Sequence, residues 1–146
     1  MIVELLLNGR RADLEAGSAE TLLVTLRREG LLSVRATCGI GVCGACTVLL
    51  DGEPVSGCLL LTAQAAGHEV TTVEGLAPDD PVSVAFAEER AFQCGYCTPG
   101  MVLTASSLLR ERPQPSDDEI AEALGGNLCR CGCYVKIADA VRRAAA

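Results

Sequence analysis

The sequence predicts an α+β chain of two small domains, a β-grasp-like unit followed by four short helices. Three observations predict it. Period-two apolar segments with hairpin turns fill the first half. Helix caps and breakers fill the second. The nine cysteines of the 146 residues divide into two unlike clusters, one in each half.

The first half is read in order. Val3–Leu7 is a strand, Asn8-Gly9 a type I′ hairpin signal, and Arg10–Leu14 the return strand. Thr21–Glu29 is a short helix with Leu22, Leu23 and Leu26 on one face and Gly30 beyond its end. A cysteine-rich loop follows. Thr47–Leu50 is a strand that turns at Asp51-Gly52 and returns near Val55. Leu59–Ala66 reads as helical, ending at Gly67, and Glu69–Val73 as the last strand, rich in β-branched residues.

Residues 1–75 form the expected first domain and residues 76–81, rich in Pro and acid, the linker. Residues 82–146 form the expected helical domain. Val82–Phe92 is its first helix. Thr98-Pro99 supplies a cap and first-turn proline for a second, running to about Arg110 and stopped by Pro113 and Pro115. Ser116 and Glu119 make a capping box for a third, broken at Gly125-Gly126, and Val135–Ala145 is the last. Four short helices with paired cysteine loops predict a four-helix bundle carrying a metal site at one end.

The cysteine spacing points to chemistry. Cys38, Cys43 and Cys46 stand as C-x4-C-x2-C with Cys58 at a distance, the plant-type [2Fe–2S] spacing. Gly39, Gly41 and Gly44 within that loop allow backbone N–H groups to converge on sulfur. Cys94 and Cys97 form a C-x2-C pair, later joined by Cys129 and Cys131 as C-x-C. Disulfides want an even count and a secretory leader; the count is odd, and the first nine residues lack a basic segment and a long apolar core. Zinc is the stronger rival, since all-cysteine sites with C-x2-C arms are common. The C-x4-C-x2-C loop argues against it at the first site; the second, taken alone, leaves zinc open.

Composition bounds the rest. Two Phe, two Tyr and no Trp leave an aliphatic core, which metal–thiolate bonds would supplement. No apolar run reaches about 18 residues, so no membrane span is expected. The formal charge of −7 and the scattered basic residues argue against nucleic acid. Thiolate chemistry makes the cytoplasm the expected compartment. No nucleophile–base pair or phosphate loop is recognisable. The only histidine, His68, cannot supply the two that a Rieske-type site needs and reads as a solvated turn residue. Cys133 reads as a spare or structural thiol, Arg130 as a charge partner for an anionic site, and Tyr96 as a shield from water or ordinary packing.

Four segments occur in an order that matches a known family: Cys38–Cys46 with Thr47-Val48, Val70–Leu76, Phe92–Met101, and Gly126–Cys131. The chain thereby resembles the small iron–sulfur subunit of the xanthine oxidase family of molybdenum hydroxylases. The resemblance covers nearly the whole chain. It implies a ferredoxin-like domain and a four-helix domain, each with one [2Fe–2S] cluster, ligated by Cys38, Cys43, Cys46 and Cys58 and by Cys94, Cys97, Cys129 and Cys131. It implies a large molybdopterin-bearing partner beside the second cluster and a medium FAD-bearing partner toward the first, in a heterotrimer or a dimer of heterotrimers. It places Gln93 and Cys131 against the pterin. The role implied is electron relay without substrate turnover by this chain alone. A freestanding ferredoxin-like carrier is the alternative, and it has no need of the second cluster domain. Two departures stand out. Gly132-Cys133-Tyr134 replaces the usual Thr-Gly-Tyr, so the resemblance carries molybdenum further than flavin. Ile40 replaces a polar residue of the first loop without removing a ligand.

Overall fold

The computed structural model describes residues 1–146. Strand β1 (Ile2–Leu7) buries Val3 and Leu5 and exposes Ile2, Glu4 and Leu6, the alternation of a half-buried strand. It pairs antiparallel with β2 (Arg10–Glu15) through a two-residue loop, Leu7 facing Arg10. Asn8 and Gly9 both have positive φ, 51° and 77°, as a type I′ turn requires. Strands β3 (Thr47–Leu50) and β4 (Glu53–Ser56) repeat the device with Asp51 and Gly52 at φ 50° and 85°. With β5 (Glu69–Thr71) the sheet runs β2-β1-β5-β3-β4, the β1–β5 pair parallel and the others antiparallel. Helix α1 (Leu22–Arg28) lays Leu22 and Leu26 on one face of this sheet, among Val3, Val48 and Val70.

The second half is helical: α2 (Pro81–Glu88), α3 (Thr98–Glu111), α4 (Asp117–Leu124) and α5 (Tyr134–Ala145). They enclose a separate core around Phe86, Met101, Ile120, Ile137 and Val141. The two cores meet where α3 packs on β3. At the far end of α3, Arg110 donates to the Gly52 carbonyl of the β3–β4 turn at 2.7 Å. Ser116 and Glu119 form the expected reciprocal cap of α4. No helix is long and apolar enough to cross a membrane.

Four local expectations are corrected. The helix expected over Leu59–Ala66 is a single 3₁₀ turn at Thr62–Ala65. Leu60 and Leu61 are instead drawn alongside the start of α1: Leu22 N–H donates to Leu60 O at 2.8 Å and Thr21 bridges to Leu61. The strand expected to Val73 ends at Thr71, because Thr72 turns its N–H to the Asn8 side chain at 2.8 Å and a 3₁₀ turn, Val73–Gly75, follows. The helix expected to Phe92 ends at Glu88. Arg90 adopts φ 53°, Arg90 N–H bonds to Ala87 O and Ala91 N–H to Phe86 O, a Schellman closure with Arg where Gly is usual. Lastly, the cap of α3 is Cys97, not Thr98; Thr98 is the first helical residue and its hydroxyl is buried without a partner.

Candidate functional site

The first cysteine loop runs from the end of the α1 connection into β3. Gly39, Gly41 and Gly44 take φ of 69°, 74° and 69°, so the chain doubles back and turns its N–H groups inward. Ile40 and Cys43 N–H each donate to Cys38 Sγ at 3.5 Å, Ala45 N–H to Cys43 Sγ at 3.5 Å, and Cys58 N–H to Cys46 Sγ at 3.4 Å. These bonds and the neighbouring thiols show in the acidities. The N–H of Ile40, then those of Cys43 and Val42, hold the Cys38 thiol down to about 6. Burial pushes Cys46 up to about 11, with the Cys58 thiol beside it. The nearest thiol neighbours are Cys38 with Cys43 and Cys46 with Cys58, and Cys43 also bears on Cys46. The first pair is half-buried; the second is packed into the sheet core.

The second group is built by the α2–α3 and α4–α5 connections. The Schellman turn after α2 sends Phe92 and Gln93 to the surface and delivers Cys94 to the rim. Cys97 caps α3, and Cys129 precedes α5. Tyr96 N–H donates to Cys94 Sγ at 3.4 Å and Cys133 N–H to Cys129 Sγ at 3.5 Å. The pairing recurs: Cys94 lies with Cys131, and Cys97 with Cys129. Cys94 and Cys131 are exposed, whereas Cys129 and Cys97 pack against the helical core. The Tyr96 N–H, then the Cys131 thiol, lower the pKa of Cys94, while burial pushes that of Cys97 up to about 12. Burial opposes ionisation of Cys129, but the N–H groups of Cys133, Cys131 and Gly132 and the Cys97 thiol together bring it below its ordinary value.

All eight cysteines singled out by spacing are brought into two groups, and Cys133 joins the second, its thiol beside those of Cys129, Cys131 and Cys94. No three His, Cys, Asp or Glu side chains close on a point where one metal ion would sit. The sulfurs stand in pairs, which suits a two-iron cluster taking two thiolates on each iron. N–H groups aimed at sulfur fit the same group, since such bonds tune an anionic cluster. A cavity of about 380 Å³ is lined by Cys43 and Ala45 from the first group and by Cys94, Cys97 and Cys129 from the second. Cys133 is half-buried and raised by burial, then by the Cys129 thiol. His68 lies in a turn as expected, with a partner the sequence did not show: its Nδ1 sits 2.5 Å from Asp51 Oδ2.

Three residues carry structural roles that spacing does not show. Tyr96 ties the second group to the approach of the first: Thr37 Oγ1 donates to its hydroxyl at 3.0 Å, that hydroxyl donates to Ala36 O at 3.3 Å, and Arg35 stacks 5.2 Å from its ring. Tyr134 accepts the Cys129 N–H at 2.8 Å. Asn127 is buried between the two loops. Only its place in the run Gly126–Cys131 could have signalled it.

Comparison with known proteins follows this geometry. Residues 5–74 match the family described as a 2Fe-2S iron-sulfur cluster binding domain, and residues 72–142 the one described as a [2Fe-2S] binding domain. The chain is 47% identical to the nicotinate dehydrogenase small FeS subunit of Eubacterium barkeri, with 97% of this chain and 93% of that one covered. Quinoline 2-oxidoreductase from Pseudomonas putida 86 contains a chain that superposes with a TM-score of 0.95 at 41% identity, covering 99% of this chain and 92% of that one. The aldehyde oxidoreductase of Desulfovibrio gigas gives a TM-score of 0.94 at 34% identity over 99% of this chain, yet only 17% of its own. There the matching unit is one part of a much longer polypeptide.

Proposed function

The chain belongs to the small [2Fe–2S] subunits of the xanthine oxidase family of molybdenum hydroxylases, and from that premise we propose that it relays electrons between a molybdopterin-bearing large subunit and an acceptor, an FAD-bearing medium subunit in the first instance. What supports this reading is that the two thiol groups face one cavity, lined by Cys43 of the first and by Cys94, Cys97 and Cys129 of the second, and that each group has its more exposed thiols on one side and its core-facing thiols on the other. Cys38 and Cys43 would hold one iron and Cys46 and Cys58 the other. Cys94 with Cys131, and Cys97 with Cys129, would hold the second cluster in the same way. When bound, each cluster accepts and returns a single electron.

The chain's own residues supply the setting. Buried Cys46, Cys58 and Cys129 anchor each group to a core. The N–H donors offset thiolate charge, which favours the reduced state. Exposed Gln93, Cys94 and Cys131 leave one edge of the second group free to meet the pterin of the large subunit. In this reading it serves as the iron–sulfur subunit of an oxidoreductase, relaying electrons rather than turning over substrate. A heterotrimer, or a dimer of heterotrimers, in the cytoplasm completes the reading. A freestanding carrier is disfavoured, because the open edge of the second group serves no purpose in it.

The test is direct. The purified chain should carry about four irons and about four acid-labile sulfides and, once reduced, give two distinguishable electron paramagnetic resonance signals. A colourless, zinc-loaded chain would overturn the reading. Co-purification with a large molybdopterin subunit, and then with a flavin subunit, tests the partners in turn.

A further inference from the structure

Asn127 stands where the two cysteine loops meet. It is 5% exposed, although Gly126 and Leu128 on either side of it are exposed. A buried amide is costly unless its donors and acceptor are met. Here they are met from three elements. Nδ2 donates to the Gly44 carbonyl of the first loop at 3.1 Å and to Thr47 Oγ1 on β3 at 3.2 Å. Oδ1 accepts from Thr104 Oγ1 on α3 at 3.0 Å. Thr47 Oγ1 itself donates to Gly44 O at 2.7 Å, so it is free to accept from the amide. This arrangement fixes which end of the amide faces which loop.

The consequence falls on the next two residues. Leu128 N–H donates to Cys43 O at 2.9 Å, and Cys129 follows. Gly44 has φ 69°, and a Cβ there would run into the Gly126 carbonyl and Asn127 itself. The loops approach as closely as backbone allows.

We propose that Asn127 is the positioning residue for electron exchange between the two sites. It presses Cys43-Gly44 against Leu128-Cys129, so that covalent bonds and a single hydrogen bond join the Cys43 thiol to the Cys129 thiol. The proposal rests on the reading that these cysteines ligate two clusters. The exchange breaks no bond and moves no proton: one site loses an electron as the other gains it.

The test uses the full chain with Asn127→Asp, which keeps size and acceptor but loses the donor, and Asn127→Ala. Iron and sulfide are counted, and the dithionite-reduced proteins are compared by low-temperature electron paramagnetic resonance, where magnetic interaction between the two reduced sites splits their signals. Both variants should keep the parent iron content and show a smaller splitting. Hydrogen exchange at Leu128 should run roughly fivefold faster, the factor that one ordinary hydrogen bond contributes. If Asn127→Ala does not retain iron, Thr104→Val, which leaves Asn127 in place but frees its amide to turn, carries the same measurement. Unchanged splitting and exchange with a lower melting temperature would overturn the proposal and reduce Asn127 to a packing residue. A parent chain without two clusters would instead overturn the ligand reading.

Discussion

A Cβ added to Gly100, in the first turn of α3, would lie 2.5 Å from the carbonyl oxygen of Gly44 in the first cysteine loop. The helix that carries the second site's Cys97 at its cap is thereby set directly against the backbone that carries the first site. Propensity alone would favour alanine in a helix by about 1 kcal/mol. The contact reverses the sign. Gly100→Ala should lower stability by about 1–3 kcal/mol, the usual cost of overpacking. Gly126→Ala is the control: no atom lies within 4 Å of its added methyl, so its effect should stay within about 0.5 kcal/mol. Thermal unfolding of both variants decides it, and a stabilised Gly100→Ala would mean the loop and helix do not touch.

Cys133 should be separable from its neighbours. Its N–H bonds to Cys129 Sγ, but its thiol lies outside the C-x-C pair. Cys133→Ser should keep about four irons, while Cys129→Ser or Cys131→Ser should lose about two. Iron analysis of the three variants checks this. Iron loss in Cys133→Ser would move the ligand assignment one cysteine along.

Thiol acidities predict an order of alkylation in iron-free chain. Ile40, Cys43 and Val42 N–H groups hold Cys38 at about 6, and the Tyr96 N–H lowers Cys94. Burial holds Cys46 near about 11 and Cys97 near about 12. A lowered value means thiolate, the reactive form, at neutral pH; a raised one means protonated thiol. Iodoacetamide at about pH 7 should therefore label Cys38 and Cys94 before Cys46 and Cys97, as read by peptide mass spectrometry. Raising the pH should bring in the buried pair last. Equal labelling of all the thiols would show that the loops are not formed before iron binds.

The parts of this fold legible in the sequence are those written in adjacent residues. Asn8-Gly9 and Asp51-Gly52 specify their turns by their own backbone freedom, and Ser116 with Glu119 closes a cap three residues long. The misread parts answer to distant partners or to an unusual residue in a local closure. The Leu59–Leu61 run looks helical until its backbone is seen bonding to the start of α1. The end of α2 carries Arg90 where glycine would have signalled it, and burial of Phe86 accompanies the closure. The site divides in the same way. Cysteine spacing within each loop is local and readable, but the partners of Asn127 lie 83, 80 and 23 positions away. No short window contains them.

Gln93 supplies the sharpest remaining test. It adjoins Cys94 at the exposed edge of the second group, a few residues beyond the end of α2. Its amide can offer both a donor and an acceptor to a neighbour. In the proposed complex that neighbour is the pterin of the large subunit. Gln93→Ala removes no thiol, so both clusters should assemble with unchanged iron. Loss of the amide should instead weaken retention of the molybdenum cofactor, or slow the appearance of reduced cluster after substrate is mixed with the reconstituted complex. If Gln93 serves only its own chain, its removal should cost about 1 kcal/mol of small-subunit stability and leave both readouts unchanged. Stopped-flow bleaching of the cluster absorbance, run beside a cofactor assay and a melting curve, separates the two. Normal bleaching and normal cofactor content in a less stable subunit would remove Gln93 from the interface.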